Sequence, residues 1–172
     1  MVGELVKIVK IRIYIFFVFL FILTGCNNSL EKDSLRNISE GSLIGKMDKN
    51  ETFSWKGIPF AAPPIGDLRW KAPQPVESWS GIFEASEFKS ACFQGSSGIQ
   101  GDSNEKWSGD EDCLYLNIWT PRFTQDEIVN RQDKLPVMMW IHGGGNTVGS
   151  AHVYDPSLLV STHDVIVVTI HY

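Results

Sequence analysis

The sequence has little positive charge, no long hydrophobic run and no internal repeat. Its 15 Lys and Arg residues are outnumbered by 20 Asp and Glu residues, which gives a formal net charge of −5. Nucleic-acid-binding proteins normally carry a basic surface, so this balance predicts no nucleic-acid partner. The longest apolar run, Ile13 to Leu23, has eleven residues, whereas a membrane-spanning helix needs roughly 20. The absence of repeats and of low-complexity segments after residue 26 argues against a repeat protein.

Two phosphate-binding motifs are also missing, although three consecutive glycines suggest them at first sight. A dinucleotide-binding G-x-G-x-x-G pattern that begins at Gly143 requires a glycine where Val148 stands. A G-x-x-x-x-G-K-[ST] pattern that begins at Gly144 requires a lysine where Ser150 stands. The sequence therefore excludes both kinds of phosphate site at these glycines.

The apolar run near the N-terminus has the length of the hydrophobic part of a signal peptide. Three cations precede it, and Leu23-Thr24-Gly25-Cys26, which resembles a bacterial lipobox, follows it. This resemblance implies a lipoprotein signal peptide over residues 1–25, export, and a lipid anchor on the Cys26 thiol that holds the protein on a membrane of the bacterial cell envelope. An ordinary signal peptide, which would release a secreted protein, and a membrane-anchoring helix are the alternatives.

The remaining chain is predicted to consist of a polar tether over residues 26–37 and one domain over residues 38–172. Only three cysteines are present. If Cys26 carries lipid, Cys92 and Cys113 are left in an exported, oxidising compartment, where disulfides persist. We expect these two cysteines to be bonded; two free buried thiols are the alternative.

The hydrophobic pattern predicts an α/β fold in which antiparallel strands lead into a parallel sheet. Residues 114–119 alternate between apolar and polar positions, as is typical of a strand with two different faces. Residues 137–141 and 165–170 are near-continuous apolar runs, which are typical of parallel strands covered on both faces. Between them, Asp155 can cap a short helix that has Pro156 at its first position.

The first of these apolar runs leads directly into His142 and the glycines Gly143, Gly144 and Gly145. A buried strand followed by glycines can bring backbone N–H groups very close to a ligand, because no side chain intervenes. Such fixed donors suit a developing negative oxygen, and an HGGG motif supplies them in esterases of the α/β-hydrolase fold.

Five segments together resemble the type B carboxylesterase family, which includes the cholinesterases. The resemblance implies the N-terminal part of an α/β-hydrolase fold, incomplete in this chain. It implies hydrolysis of small-molecule carboxylic esters through an acyl-enzyme intermediate, without metal or organic cofactor. The segments, in the family's order, are Phe53 to Trp70, Ala91 to Gln94, Glu111 to Pro121, Pro136 to Gly145 and Asp164 to Tyr172.

The resemblance also assigns roles to individual residues. It implies that Gly144 and Gly145 donate to the oxyanion, and that His142 and Gly143 belong to the same loop, with His142 orienting it. It pairs Cys92 with Cys113 in a disulfide. It further implies a buried ion pair between Arg69 and Glu111, and an exposed pair that contributes little to stability is the alternative.

The chain departs from the family in two respects. Asn146 stands where members usually have an apolar or aromatic residue, and no G-x-S-x-G motif for a nucleophilic serine is present. Ser150 and His152 lie close together in the sequence, but nothing else supports them as a nucleophile and its base. We therefore expect a chain truncated before the nucleophile, which lacks all three residues of the catalytic triad and is inactive alone. A non-catalytic adhesion relative and a non-functional truncated gene product are the alternatives.

Overall fold

The computed structural model describes residues 32–96 and 106–172. These residues form ten strands, two α-helices and two 3-10 turns at Lys49–Glu51 and Gly66–Leu68. The strands are β1 Leu35–Ile38, β2 Gly41–Ile44, β3 Lys46–Met47, β4 Thr52–Pro59, β5 Ile82–Glu84, β6 Gln94–Gly95, β7 Trp107–Ser108, β8 Tyr115–Pro121, β9 Val137–Ile141 and β10 Ile166–Ile170; the helices are α1 Gln125–Asn130 and α2 Ser157–His163.

The largest sheet contains five strands in the order β3-β4-β8-β10-β9. Strands β3, β4, β8 and β10 pair antiparallel, and β10 pairs parallel with β9, with Ile170 opposite Ile141. The prediction of antiparallel strands leading into a parallel pair is therefore confirmed. Smaller sheets, β1-β2-β5 and β6-β7, complete the described architecture.

The crossover from β9 to β10 contains helix α2, which begins one residue later than predicted. Pro156 is the N-cap and not the first helical residue. Asp155 nevertheless accepts a hydrogen bond at Oδ1 from the Ser157 N–H, at 3.0 Å. Val160 on α2 packs with Trp119 of β8 in a buried cluster, so the helix covers one face of the large sheet.

Strand β4 contains a β-bulge that is stabilised by a buried asparagine. The pairing of β4 with β8 shifts between Trp55 and Ile58, which takes the Gly57 N–H out of the ladder. Asn117 on β8 accepts that N–H at Oδ1, at 2.9 Å, and donates from Nδ2 to Thr169 Oγ1, at 2.9 Å. Sequence alternation places Asn117 correctly on a face of β8 but gives no sign that this polar face is the buried one.

A buried ion pair between Asp48 and Lys56 lies beside this bulge. Lys56 Nζ is 2.7 Å from Asp48 Oδ2, and each side chain is only 13% exposed. Trp119 Nε1 donates to the same oxygen at 3.0 Å, and the ammonium lies 4.9 Å from the centre of the Phe88 ring. Burial by itself would raise the pKa of Asp48, but hydrogen bonds from Lys56 and from the Lys49 N–H lower it to about 2.

The folded part of the chain begins before residue 38, so the predicted end of the tether is too late. Ser34 is fully buried, and its Oγ donates to the Gly45 carbonyl at 2.8 Å. The Ser34 carbonyl accepts from Trp55 Nε1 at 2.8 Å, and β1 follows at Leu35. These polar residues are ordered because their hydrogen bonds are satisfied inside the fold. Cys26 and the predicted signal peptide lie outside the described residues and stay predictions.

Strand β9 is exposed on both faces, although its apolar sequence is typical of a strand covered on both sides. Its five side chains are between 40% and 61% exposed, and β9 is the outermost strand of its sheet among the described residues. Strand β10 behaves differently, since Val167 packs against β8 and α2 and Thr169 is buried against β8. Within the described ranges, no helix is both long enough and apolar enough to cross a membrane.

Candidate functional site

The glycine loop, residues 142–149, begins at the carboxyl end of β9. It forms a tight turn in which later residues of the loop donate hydrogen bonds to the carbonyl of Gly144. The N–H groups of Thr147 and Val148 donate to that carbonyl at 3.1 and 3.2 Å, and Thr147 Oγ1 donates to it at 2.9 Å. The φ angles of Gly144 and Gly145 are +132° and +63°. A Cβ on Gly144 would overlap the Val148 carbonyl oxygen, so this turn requires glycine at that position.

The N–H groups of Gly144 and Gly145 are available to a ligand. Among residues 32–96 and 106–172, no acceptor receives a hydrogen bond from either group. Both glycines are exposed, and a Cβ on Gly145 would have no atom closer than 4.0 Å. Two backbone donors that are fixed in a loop and open to approach meet the requirement for stabilising a negative oxygen.

Tyr172, two residues after the end of β10, contacts His142, the first residue of this loop. Tyr172 donates its hydroxyl to the His142 carbonyl at 2.8 Å, and the two rings stack with centres 4.6 Å apart. His142 Nδ1 lies 3.0 Å from the Gly143 carbonyl oxygen. His142 is thus bound within the loop and its surroundings, a geometry that agrees with the orienting role implied by the resemblance. That role stays a prediction.

A second contact, which was not predicted from the sequence, holds the far end of the loop. Gln94 Oε1 accepts the Gly149 N–H at 2.5 Å, and Gln94 Nε2 donates to the Gly149 carbonyl at 2.8 Å. Gln94 lies two residues after Cys92, whose disulfide with Cys113 is formed, with Cα atoms 4.9 Å apart. The predicted disulfide is therefore present, and it ties the segment that carries Gln94 to the start of β8.

The ion pair between Arg69 and Glu111 is present, but it is not buried. Arg69 Nη2 is 2.6 Å from Glu111 Oε1, while the side chains are 53% and 42% exposed. The sequence motif brings the two residues together as predicted, and the expectation of burial is wrong. Because water screens such a pair, it stabilises the fold by about 0–1 kcal/mol.

An open cavity of about 270 Å³ lies beside the loop. Its wall combines aromatic and polar groups. Asn146, which stands where the family usually has an apolar or aromatic residue, lines this cavity, and its φ angle is +57°. No group of three or more His, Cys, Asp or Glu residues suited to a metal ion occurs in the described part of the chain. The lining residues are Cys92, Phe93, Gln94, His142, Asn146, Thr147, Val148, Gly149 and Tyr172.

A buried histidine, a half-buried histidine and a buried serine lie beneath the loop. His171 is 1% exposed; its Nε2 lies 3.4 Å from Ser150 Oγ, and its ring centre lies 4.7 Å from that of His152. Burial, followed by the nearby His152 and His142, lowers the pKa of His171 to about 4. Burial also lowers the pKa of His152. Ser150 is 1% exposed and accepts the His152 N–H at 3.1 Å, so a substrate could not reach its hydroxyl.

This buried cluster was not recognised from the sequence. The signal that could have found it is the alternation along β10, where Val167, Thr169 and His171 share the buried face. Extending the period of two by one residue beyond the strand places His171 in the core.

Comparison with known proteins supports the same family as the five sequence segments. The model of the "Carboxylesterase family" matches residues 32–172. A pyrethroid hydrolase, Ces2e, from Rattus norvegicus is 41% identical over 149 residues, which are 80% of this chain and 25% of that protein. An acetylcholinesterase from Leptinotarsa decemlineata is 41% identical over 137 residues, which are 71% of this chain and 22% of that protein.

Solved esterase structures have the same arrangement of strands. A PNB esterase superposes with a TM-score of 0.69 at 36% identity, over 81% of this chain and 28% of that one. The carboxylesterase EST55 of Geobacillus stearothermophilus gives a TM-score of 0.67 at 37% identity, over 81% and 26%. The chain spans about a quarter of the length of these relatives, and its sheet matches part of their α/β-hydrolase fold. The chain belongs to the carboxylesterase family.

Proposed function

We propose that this chain supplies the oxyanion-binding loop of a serine carboxylesterase that acts on small-molecule esters. The observation that carries the proposal is the pair of open backbone donors at Gly144 and Gly145, held in a turn that only glycine allows. In acyl transfer these N–H groups would donate to the oxygen of the tetrahedral intermediate, where negative charge develops. Removing one such donor typically lowers kcat by about 10²–10³-fold.

The chain on its own is proposed to be inactive towards esters. It contains the donors but no G-x-S-x-G motif for a nucleophilic serine, and its buried Ser150 is closed to substrate. The purified chain should not hydrolyse p-nitrophenyl acetate faster than a boiled sample, and a serine-directed phosphonate should leave it unlabelled. Specific labelling would show that it does contain an activated nucleophile.

The role of the loop is best tested in a chimera. Residues 32–172 would replace the matching quarter of the PNB esterase, to which they are 36% identical. We expect an active chimera whose kcat falls by about 10²-fold in the Gly144→Ala variant, because the added methyl group must displace the loop. Gly66→Ala is the matched control, since Gly66 also has a positive φ but a Cβ there would meet no atom within 4 Å. Equal kcat values for both variants would contradict the oxyanion role.

The proposed location is a membrane face of the bacterial cell envelope, through lipid on Cys26. Cys26→Ser should move the protein from the membrane fraction to the soluble fraction, while Ser29→Ala, outside the lipobox, should leave it membrane-bound. Unchanged fractionation of the Cys26→Ser protein would exclude the lipid anchor.

A further inference from the structure

We propose that Gln94 is a positioning residue for the glycine loop, an inference that rests on the proposed function of that loop. Gln94 is not part of the loop and lies 55 residues from Gly149 in the sequence. Its side-chain amide nevertheless contacts both the N–H and the carbonyl of Gly149, where the loop returns to the core. We infer that this contact fixes where the loop ends and therefore how its donors point.

The side-chain amide of Gln94 pairs with the backbone of Gly149 as one β-strand residue pairs with another, through one hydrogen bond in each direction. Gln94 Oε1 accepts the Gly149 N–H, and Nε2 donates to the Gly149 carbonyl at 2.8 Å. The second Nε2 hydrogen donates to the Cys92 carbonyl, also at 2.8 Å. Three hydrogen bonds leave the amide little freedom to rotate. Because two of them end on one residue, they define both the position and the orientation of that residue.

Gly149 transmits this restraint to the beginning of the loop. Its φ is +146°, and a Cβ there would overlap His142 Nδ1 and the Gly143 carbonyl oxygen. The backbone of Gly149 therefore packs directly against the residues that enter the loop. Val148, its neighbour, donates its N–H to the Gly144 carbonyl at 3.2 Å. A shift of Gly149 would move both the entry to the loop and the turn at Gly144.

Gln94 itself is held in place by the surrounding structure. Strand β6 pairs with β7, with Gln94 opposite Ser108, and the Phe93 N–H donates to the Asp110 carbonyl at 3.0 Å. The disulfide between Cys92 and Cys113 joins this segment to β8 of the large sheet. The glycine loop is consequently braced from two sides, by Tyr172 at its start and by Gln94 at its end.

The first test measures amide hydrogen exchange in the full chain. Gln94→Met keeps the length of the side chain and removes all three hydrogen bonds, so exchange of the Gly149 N–H should accelerate at least tenfold, while β8 and β10 keep their protection. Gln74→Met is the matched control, because Gln74 also donates to a carbonyl two residues earlier, that of Ala72, but lies outside the cavity. Exchange at Gly149 that is no faster than in the control would overturn the inference.

A second variant serves if Gln94→Met does not fold. Gln94→Glu keeps an acceptor for the Gly149 N–H and loses the donors to Gly149 and Cys92. Its Gly149 exchange should be at least threefold faster than in the wild type, with the large sheet still protected. A rate equal to the wild-type rate would show that the amide donors do not position the loop.

The chimera with the PNB esterase then separates this inference from the proposed function. Gln94→Met should lower kcat by about tenfold to a hundredfold and leave KM within about twofold, as expected for misplaced transition-state donors. A rise in KM alone, or no change, would contradict the positioning role. If the chimera with unaltered residues 32–172 is inactive, the proposed function fails, while the exchange rate of Gly149 still decides whether Gln94 holds the loop.

Discussion

Lowering the pH from 7 to 5 should destabilise this fold, chiefly through His171. The side chain is 1% exposed, and its ring meets that of His152 at an angle of 79° with centres 4.7 Å apart. Burial is the first cause of its low pKa, about 4, and the neighbouring His152 and His142 add to it. Protonation would place an unpaired charge in the core, so the folded chain keeps His171 neutral over this whole range.

The magnitude follows from the difference between the folded and unfolded pKa values. In the unfolded chain His171 takes up a proton near its ordinary pKa of 6.5, and in the folded chain only near 4. Between these values the unfolded state binds more protons, so the stability contributed by neutral His171 is complete above 6.5 and is lost as the pH falls towards 4. The whole difference amounts to about 3 kcal/mol, of which roughly 2 kcal/mol is already lost at pH 5.

Urea denaturation, followed by the fluorescence of the tryptophans, measures this effect at pH 7, 6 and 5. The free energy of unfolding should fall by about 2 kcal/mol or more in the wild type, since His152 contributes in the same direction. His171→Gln should remove most of that fall, whereas His163→Gln, at an exposed position of α2, should leave it unchanged. The reasoning is refuted if His171→Gln shows the same pH dependence as the wild type.

Three further variants test a buried ion pair, a buried hydrogen bond and an exposed ion pair by urea denaturation. Asp48→Asn should cost about 2 kcal/mol at pH 7, which corresponds to the lowering of the Asp48 pKa from 3.8 to about 2, because Lys56 loses its buried partner; this cost should be complete above pH 4 and vanish towards pH 2, and a cost independent of pH would contradict it. Asn117→Ala should cost about 2–3 kcal/mol by leaving the Gly57 N–H buried and unpaired, and a cost below 0.5 kcal/mol would exclude that role. Arg69→Ala should cost less than about 1 kcal/mol, and a larger cost would show that its ion pair is less screened than its exposure suggests.

The sequence predicted those features that depend on local pattern. Apolar runs located β9 and β10, and a glycine triplet after a strand located the loop. The need for glycine at Gly144 has the same local origin, since the contact that excludes a side chain is with Val148, four residues away. The disulfide was expected from the family resemblance and from the two cysteines that remain if Cys26 carries lipid.

The features that were missed depend on contacts between distant segments. Gln94 meets Gly149 across 55 residues, and Ser34 meets Trp55 across 21 residues. No periodicity in the sequence reports such pairs, because the two residues of each pair lie on separate segments of the chain and share no local pattern. The exposure of Arg69 and Glu111 likewise depends on what surrounds them in space, which their motifs do not encode.

Strand β9 has a consequence for the behaviour of the chain in solution. Five consecutive apolar residues, Val137–Ile141, form the outermost strand of the large sheet in the part of the chain that the structure describes, and all five are at least 40% exposed. A short, uncharged segment of this kind, without proline, can serve as a template for edge-to-edge pairing with a second molecule. Lys134 and Pro136 precede it and discourage such pairing at one end only. The strand that leads into the proposed oxyanion donors is thus also the segment through which we expect these chains to self-associate as their concentration rises.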